Sequence, residues 1–428
     1  MANGLPILGS NFQFWGHWWL PEHPNDQNVG CLSCSGGNLR LKLLGKFDAI
    51  NPNKLHATVP VIFGVADGKM FTLWNSIQLQ FGLRLPGTIQ QHFGHMRILS
   101  GAHLLNKNDA QFSGLTVYAA NLGPWSGIRP VEPLISTGDS LEISYRMAPI
   151  RSREIDLTDH GLALKIGSLV STNDKEYKRY GFDVSPAISL EFNSPRLFDE
   201  AIKQSGSLQR VLSLLIGTEL IAEASTIEID GGKTFDTRIG LLFEDAPPDD
   251  NEPLGSFEIL VPLNEISDIA EEVFSSWFRE EARIRDAVDL YIGTMRQRAL
   301  PTPTEMTSLA QALETFHRNV HNEGTISFQS RVKELVAGFD RTLVASFGIG
   351  DSFPKDVVDA RNYFTHWNPK TLKTKLSGAD LSNLVSKLKA FTRLVLLSHI
   401  GVPPNVIVRR TLESKHLYLP EAVPIVWS

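Results

Sequence analysis

The sequence predicts an α+β chain in two parts: a β-rich, sandwich- or barrel-like domain over residues 1–260 and an all-α helical bundle over residues 261–428. Three observations carry this. Up to about residue 260, short apolar runs alternate with Gly, Pro, Asn and Asp, the punctuation of strands and turns. An acidic, proline-rich stretch from Glu244 to Pro253 then interrupts the pattern. It suits neither a central strand nor a helix interior, because proline donates no backbone N–H and clashes with the preceding turn. Beyond it, apolar residues recur at three- and four-residue steps, the period of an amphipathic helix.

In the first part, Leu39 to Leu43 alternates apolar and polar residues with period two, as do Phe71 to Trp74 and Leu141 to Tyr145. Val59 to Val65, Leu115 to Ala120, Ser189 to Phe192 and Thr226 to Ile229 are further candidate strands. Strands so spaced, with little helical pattern between them, suggest a sandwich or barrel. One helix is expected at Phe198 to Ile216, and Phe257 to Val261 reads as a last strand returning to this domain. Gly231-Gly232-Lys233-Thr234 lacks the upstream glycine of a phosphate-cradling loop and reads as a hairpin turn. The cluster Phe12, Phe14, Trp15, Trp18 and Trp19 suits a packed core, with a ligand pocket as the alternative.

In the second part, Ile266, Ile269, Val273, Trp277, Ile284, Val288, Tyr291 and Met295 keep to one stripe, so a long helix is expected, stopped by Pro301 and Pro303. Four more follow: Thr304 to Val320 with Leu309, Leu313 and Phe316 inward; Gln329 to Phe347 with Val332, Leu335, Phe339 and Leu343 inward; Lys355 to Trp367; and Asp380 to His399. Five amphipathic helices with short connections make a bundle.

Composition excludes several classes. Hydrophobic residues are 42% and charged residues 21% of 428, enough for buried cores and against wholesale disorder. No run of about eighteen apolar residues occurs, so no membrane helix is expected. The start, Met1-Ala2-Asn3-Gly4, has no basic and apolar regions of a secretory signal, which makes the cytoplasm the expected compartment. Two cysteines, Cys31 and Cys34, exclude a disulfide scaffold. Their spacing is half a zinc site, and His17, His23, His92 and His95 are the nearby histidines, but the order matches no common finger, so no metal is expected. No Gly-x-Ser-x-Gly nucleophile elbow is present. The net charge of −6 argues against a generally basic nucleic-acid binder. Its distribution is uneven, however. From Arg361 to Ser428 there are ten Lys or Arg and three Asp or Glu, which leaves −13 on the preceding residues. A basic segment on an acidic chain can focus an anionic ligand, although a solvated basic face would look the same.

The densest chemistry lies in Arg361-Asn362-Tyr363-Phe364-Thr365-His366, at the end of the fourth expected helix, where Pro369 stops it. Asn362 and His366 are four apart and share a face. Arg361 and His366 are five apart, about 140° around an ideal helix, and converge on one ligand only if the last turn loosens or the Arg reaches round. A helix C-terminus favours imidazolium, which suits a proton donor or shuttle. A plain structural reading stands beside this one: Arg361 pairs with a carboxylate such as Asp356 or Asp359, and His366 caps the last carbonyls.

Arg-x4-His with Asn directly after the Arg resembles the signature of HEPN domains, the higher eukaryotes and prokaryotes nucleotide-binding helical bundles. Upstream, Ala312-Leu313-Glu314-Thr315-Phe316-His317-Arg318 resembles the ALExxHR stretch of the ApeA-like HEPN subgroup. Gly16-His17-Trp18-Trp19-Leu20-Pro21, followed by Val29-Gly30-x-Leu32 and Gly37-x-Leu39-Arg40-Leu41-Lys42-Leu43-x-Gly45, resembles the β-rich N-terminal domain that accompanies that subgroup. The resemblance implies a metal-independent endoribonuclease without a cofactor, used in phage defence by abortive infection. It implies a homodimer, or higher homo-oligomer, whose two motifs line one cleft. RNA is the implied partner, tRNA or another cellular or phage RNA, and a phage-derived signal the implied trigger. Arg361 and His366 would carry the chemistry with Asn362 assisting, while the N-terminal domain senses or regulates.

In that light Lys370, Lys373, Lys375, Lys387, Lys389 and Arg393 are candidate contacts to the RNA backbone, or solvated surface. Tyr363, Phe364 and Trp367 could stack on bases, but the last two suit a core. Glu314 and Arg318 have ion-pair spacing on one helix and, with His317, are expected to support the motif helix structurally. The rival reading is a non-enzymatic dimerisation or binding scaffold, with recognition by the β-rich domain.

Overall fold

The computed structural model describes residues 11–414 apart from 36–37, 52–53, 85–87, 95–96, 107, 109–110, 138–140, 148–151, 176–178, 230–237, 243–252, 297–299, 322–323 and 367–377. The expected hairpin turn at 231–234 and nearly all of the acidic linker fall outside these residues. The chain divides into two compact units. The first takes in the described residues of 1–123, 128–205 and 221–253, and the second those of 124–127, 206–220 and 254–428.

The first unit is β-rich. Its strands are β1 Phe12–Trp19, β2 Asn28–Ser35, β3 Asn38–Leu44, β4 Thr58–Ala66, β5 Lys69–Arg84, β6 Thr88–Gly94, β7 Arg97–Ser100, β8 Phe112–Tyr118, β9 Val131–Thr137, β10 Leu141–Met147, β11 Arg153–Leu157, β12 Leu162–Lys175, β13 Arg179–Arg196, β14 Ala224–Ile229 and β15 Arg238–Leu242. All the pairings are antiparallel. The order β5-β4-β1-β2-β3-β6 returns on itself, because β6 also pairs with β5, and so closes a six-stranded barrel. From β5 the sheet continues through β7, β15, β14, β8, β13 and β12 to β11, while β9 and β10 form a separate hairpin.

Side-chain alternation explains the closure. Along β3, Leu39, Leu41 and Leu43 are buried while Asn38, Arg40, Lys42 and Leu44 are exposed. The barrel core gathers Trp18, Leu32, Phe71, Phe93 and these leucines. Trp18 lies opposite Gly64 in the β1–β4 register, and a Cβ at Gly64 would overlap the indole, so glycine is what lets the ring in. The Trp18 Nε1–H donates to the Gly30 carbonyl at 3.1 Å. Gln91 joins this interior without an unpaired amide: its Nε2 donates to Gln78 Oε1 at 2.9 Å and its Oε1 accepts from the Phe47 N–H at 3.1 Å. Of the aromatic cluster, Trp18 is core, Phe12 and Phe14 pack against that core, Trp19 meets Phe63 and His103, and Trp15 is exposed.

The helices are α1 Leu122–Ser126, α2 Phe198–Ile216, α3 Ala270–Arg296, α4 Thr302–Val320, α5 Phe328–Ala337, α6 Arg341–Ala345, α7 Phe353–His366, α8 Gly378–His399 and α9 Pro404–Glu413. The second unit is helical and packs around Trp277, Phe274 and Trp125. Trp277 donates to Ser207 Oγ at 3.0 Å and Trp125 to the Val261 carbonyl at 3.1 Å. No described helix is long and apolar enough to cross a membrane.

Three sequence expectations are corrected. Phe257 to Val261 is not a strand. Its apolar residues 259–261 are buried, but the N–H groups of Leu260 and Val261 donate to the carbonyls of Ile216 and Leu215 at the end of α2, and the Ile259 and Leu260 carbonyls accept from Arg410. The helix expected over 329–347 is two, α5 and α6, because Asp340 caps a new start by accepting from the Thr342 N–H at 2.8 Å. As a result Val344, not Leu343, is the buried residue there. Last, α9 went unforeseen, although proline in the first turn is a helix-start signal.

Candidate active site

The site is built where α7 crosses α4 in the helical unit. Val357 and Ala360 bury one face of α7, which leaves Arg361 half-buried at its margin. Three groups hold the guanidinium. Nη2 donates to Glu314 Oε2 at 3.1 Å, Nη1 donates to Asn362 Oδ1 at 3.1 Å, and the Phe328 ring from α5 lies 5.5 Å away, centroid to Cζ. The other Glu314 oxygen accepts from Arg318 Nη2 at 3.3 Å. One carboxylate thus bridges two guanidiniums and leaves the cluster with a net positive charge. The Arg361 side chain keeps 33% of its surface exposed. It opens on a polar cavity of about 300 Å³, lined by Thr307, Gln311, Glu314, Thr315, Arg318 and Thr365. Such a cavity can take a tetrahedral oxyanion: the guanidinium fork supplies paired donors and the hydroxyls supply more.

The sequence-predicted residues fall into place unevenly. Arg361 pairs with Glu314 on α4, not with Asp356 or Asp359 on its own helix, and Asp359 instead meets Lys355 at 4.0 Å. Asn362 holds Arg361 by its side-chain oxygen. His366 is the last residue of α7, but its side chain lies outside the described positions, as do Trp367, Lys370, Lys373 and Lys375. Tyr363 and Phe364 meet edge to face at 5.0 Å and both are half-buried.

His317 belongs to a different cluster. It is buried, and Arg331 Nη1 donates to its Nδ1 at 3.0 Å while its Nε2 lies 2.8 Å from Glu334 Oε2. A guanidinium can only donate, so Nδ1 is the acceptor and the proton sits on Nε2, donated to Glu334. Burial holds this imidazole below its ordinary pKa, against the opposing pull of Glu334. His317 therefore ties α5 to α4, and through α5 positions Phe328 against Arg361.

The basic residues of α8 do not form one exposed row. Arg393, a candidate RNA contact, is buried at 2% exposure and donates through Nε to the Tyr291 hydroxyl at 2.9 Å. Residues 390–397 of α8 are buried on every side, so this side chain reaches no surface phosphate. Lys389 pairs with Glu305 at 2.7 Å, and Lys387 is half-buried beside Gly348. Cys31 and Cys34 form no disulfide and are buried on β2; three residues apart on a strand, they face opposite sides, Cys34 toward the barrel core. No group of three metal-ligating side chains occurs among the described residues.

Sequence reading missed Phe328, which reaches the site from α5, and Arg331 and Glu334, which hold His317 from the same helix; none of the three leaves a local spacing. It also missed Thr307 and Gln311. These had a signal, for Thr307, Gln311, Glu314 and Arg318 form a polar stripe along an otherwise apolar-patterned helix.

The ApeA N-terminal domain 1 family matches residues 13–277, more than half of the chain. The chain belongs to the ApeA family. The Apea-like HEPN family matches residues 307–405, from the second turn of α4 to the start of α9. That span holds every side chain placed around Arg361. At the level of the family, an ApeA protein with a HEPN domain has a nuclease- and defence-type role, HEPN domains being generally ribonucleases. No curated protein and no solved structure matches this ApeA chain.

Proposed function

We propose that this ApeA protein is a metal-independent endoribonuclease whose site is Arg361 with His366, and Asn362 in support. The observation that carries the reading is the Arg361 guanidinium, fixed by Glu314, Asn362 and Phe328 yet one-third open on a polar cavity. A guanidinium so held can bind the scissile phosphate through its fork and stabilise the charge that grows on it, with no reorganisation during the reaction. His366, at the end of the same helix, is suited to proton transfer. The ribose 2′-oxygen attacks phosphorus and gives its proton to an imidazole acting as base. The P–O5′ bond breaks, and the departing 5′-oxygen takes a proton from an imidazolium. The products are a 2′,3′-cyclic phosphate and a 5′-hydroxyl. One imidazole does both jobs poorly, and two protomers with their motifs in one cleft supply a base and an acid. The acting species is therefore a homodimer in the cytoplasm, cleaving tRNA or other cellular or phage RNA in abortive infection. Unrestrained cleavage would harm the host, so a phage-derived trigger acting through the β-rich unit fits the reading.

One observation favours the rival scaffold reading: Arg361 does pair with a carboxylate, as a structural arginine would. The chemistry separates the two. Purified protein with cellular RNA and EDTA should yield products ending in 2′,3′-cyclic phosphate, and a 2′-deoxy substitution at a mapped cleavage position should block that cut. Cutting at the 2′-deoxy position, or cutting abolished by EDTA, would refute the mechanism.

A further inference from the structure

The barrel carries a surface feature that the cleavage site does not use. None of its six strands, β1 to β6, contains an Asp or Glu, in a chain that has 47 of them. Nearby acids such as Glu22, Asp26, Asp48 and Asp67 sit in the connecting turns. The outward positions are therefore basic, aromatic or neutral. In register across the sheet, Trp15 on β1 lies opposite Cys31 on β2, Cys31 opposite Lys42 on β3, and Lys42 opposite His92 on β6. Arg40 stands two residues from Lys42 on the same face, about 6.6 Å along the strand. Arg40 and Lys42 are both exposed, and neither has an ion-pair partner among the described residues. Trp15 is 53% exposed. Because Cys31 between them is buried, the Trp15 ring and the Lys42 ammonium stand over it about two strand spacings, or roughly 10 Å, apart.

We infer that this face of the barrel binds a single-stranded polynucleotide, with Arg40 and Lys42 on successive phosphates and Trp15 stacked on a base. Cations in a row beside a solvent-exposed indole are the two components of sequence-tolerant single-strand binding, and the outer face of a small barrel is a place where it occurs. The positive field is visible at His92, whose imidazole is held below its ordinary pKa by burial first and then by Lys42 and Arg40. An exposed unpaired indole is costly to leave in water and gains from a base on its face. The next outward row, Val29, His17, Val65 and Met70 in register, is apolar apart from the exposed His17 and could equally cover a protein, but it holds no Lys or Arg. The unpaired Arg40 and Lys42 are what favour a polyanion. This inference gives the RNA reading of the helical unit a second surface, and its test does not depend on cleavage.

The test is fluorescence anisotropy of labelled U20 and dT20 with the full chain, at several salt concentrations. The proposal expects Trp15→Ala to weaken binding by roughly five- to a hundredfold. It expects Arg40→Ala/Lys42→Ala to flatten the log–log salt slope by about 1.4, at roughly 0.7 per phosphate contact on a single strand. Trp15→Phe should recover part of the affinity. All three substituted side chains are outward, so a thermal melt should show a folded barrel in each variant. U20 bound more tightly than dT20 would make RNA the ligand, and equal affinity would make it single strands of either kind. No binding, or binding lost in Arg361→Ala and unchanged in Trp15→Ala and the double variant, would overturn the proposal and leave the face to a protein partner. Binding weakened in Trp15→Ala and in the double variant, with no cleavage of the probe, would leave this proposal standing independently of the ribonuclease reading.

Discussion

Arg361 is a charged group with a choice of partners. In the free protein, Glu314 shares its carboxylate with Arg361 and Arg318, and Asn362 takes the second guanidinium nitrogen. Two guanidiniums against one carboxylate leave the cavity attractive to a phosphate, while the pair fixes where the fork points. Lysine keeps the charge but not the fork that spans Glu314 and Asn362. Arg361→Lys is therefore expected to lower single-turnover cleavage by about a hundredfold or more, in the range for losing one oriented charge donor, with the melting temperature little changed. His317 makes a separate prediction. Its folded pKa is depressed by burial, so below about pH 6.5 the unfolded chain takes up a proton that the fold refuses. Its contribution to stability is present at neutral pH and is lost as pH falls through that window. The urea midpoint of the helical unit should be lower near pH 5.5 than near pH 7.5, and His317→Gln should flatten the difference. An unchanged slope in His317→Gln would mean that other groups, such as His399, dominate; its pKa is also lowered by burial. The motif Arg361-Asn362-x3-His366 and the Glu314–Arg318 pair were legible because both are spacings within one helix. Phe328, Arg331 and Glu334 were not, because their partners are set by how α5 packs on α4.

Elements decide whether those side chains meet. Helix α5 starts at Ser327, whose Oγ accepts from the Ser330 N–H at 3.1 Å, and its first residue is the Phe328 that lies against Arg361. Ser327→Ala removes this cap and is expected to cost about 1 kcal/mol by denaturant unfolding, with a further loss of cleavage as Phe328 loosens. The expected loss of about 1 kcal/mol with no effect on cleavage would show that Phe328 does not position Arg361. In the barrel, β1 and β4 approach closely enough to seat Trp18 over Gly64. Gly64→Ala overfills that contact and should destabilise the β-rich unit by roughly 1–3 kcal/mol. The strongly alternating β3 and the helix Phe198–Ile216 could be read directly from pattern. The boundary between α5 and α6 could not, since a continuous apolar stripe hides the restart at Asp340. Phe257 to Val261 misled for the opposite reason: an apolar run of strand length whose backbone is taken by α2 and Arg410.

At the scale of the whole chain, the change from period two to helical period identified a β-rich part and a helical part, and the structure has both. The single change of period does not reveal that residues 124–127 and 206–220 join the helical unit, because such membership follows from long-range packing, as when Trp277 reaches Ser207. A sandwich or a barrel was legible from the spacing of the strands, but the choice of a closed barrel was not, since closure depends on β6 returning to β5 across a register shift. The ribonuclease reading requires two protomers, so light scattering should find twice the chain mass under conditions where RNA is cut, and a cleavage-competent monomer would contradict the paired-imidazole mechanism. The most direct measurement is the rate of RNA cleavage by wild type, Arg361→Ala and His366→Ala, purified side by side with EDTA present. Cleavage by the wild type, reduced at least about a hundredfold in each variant, is the predicted result. Equal cleavage by all three would contradict the account and place the chemistry elsewhere.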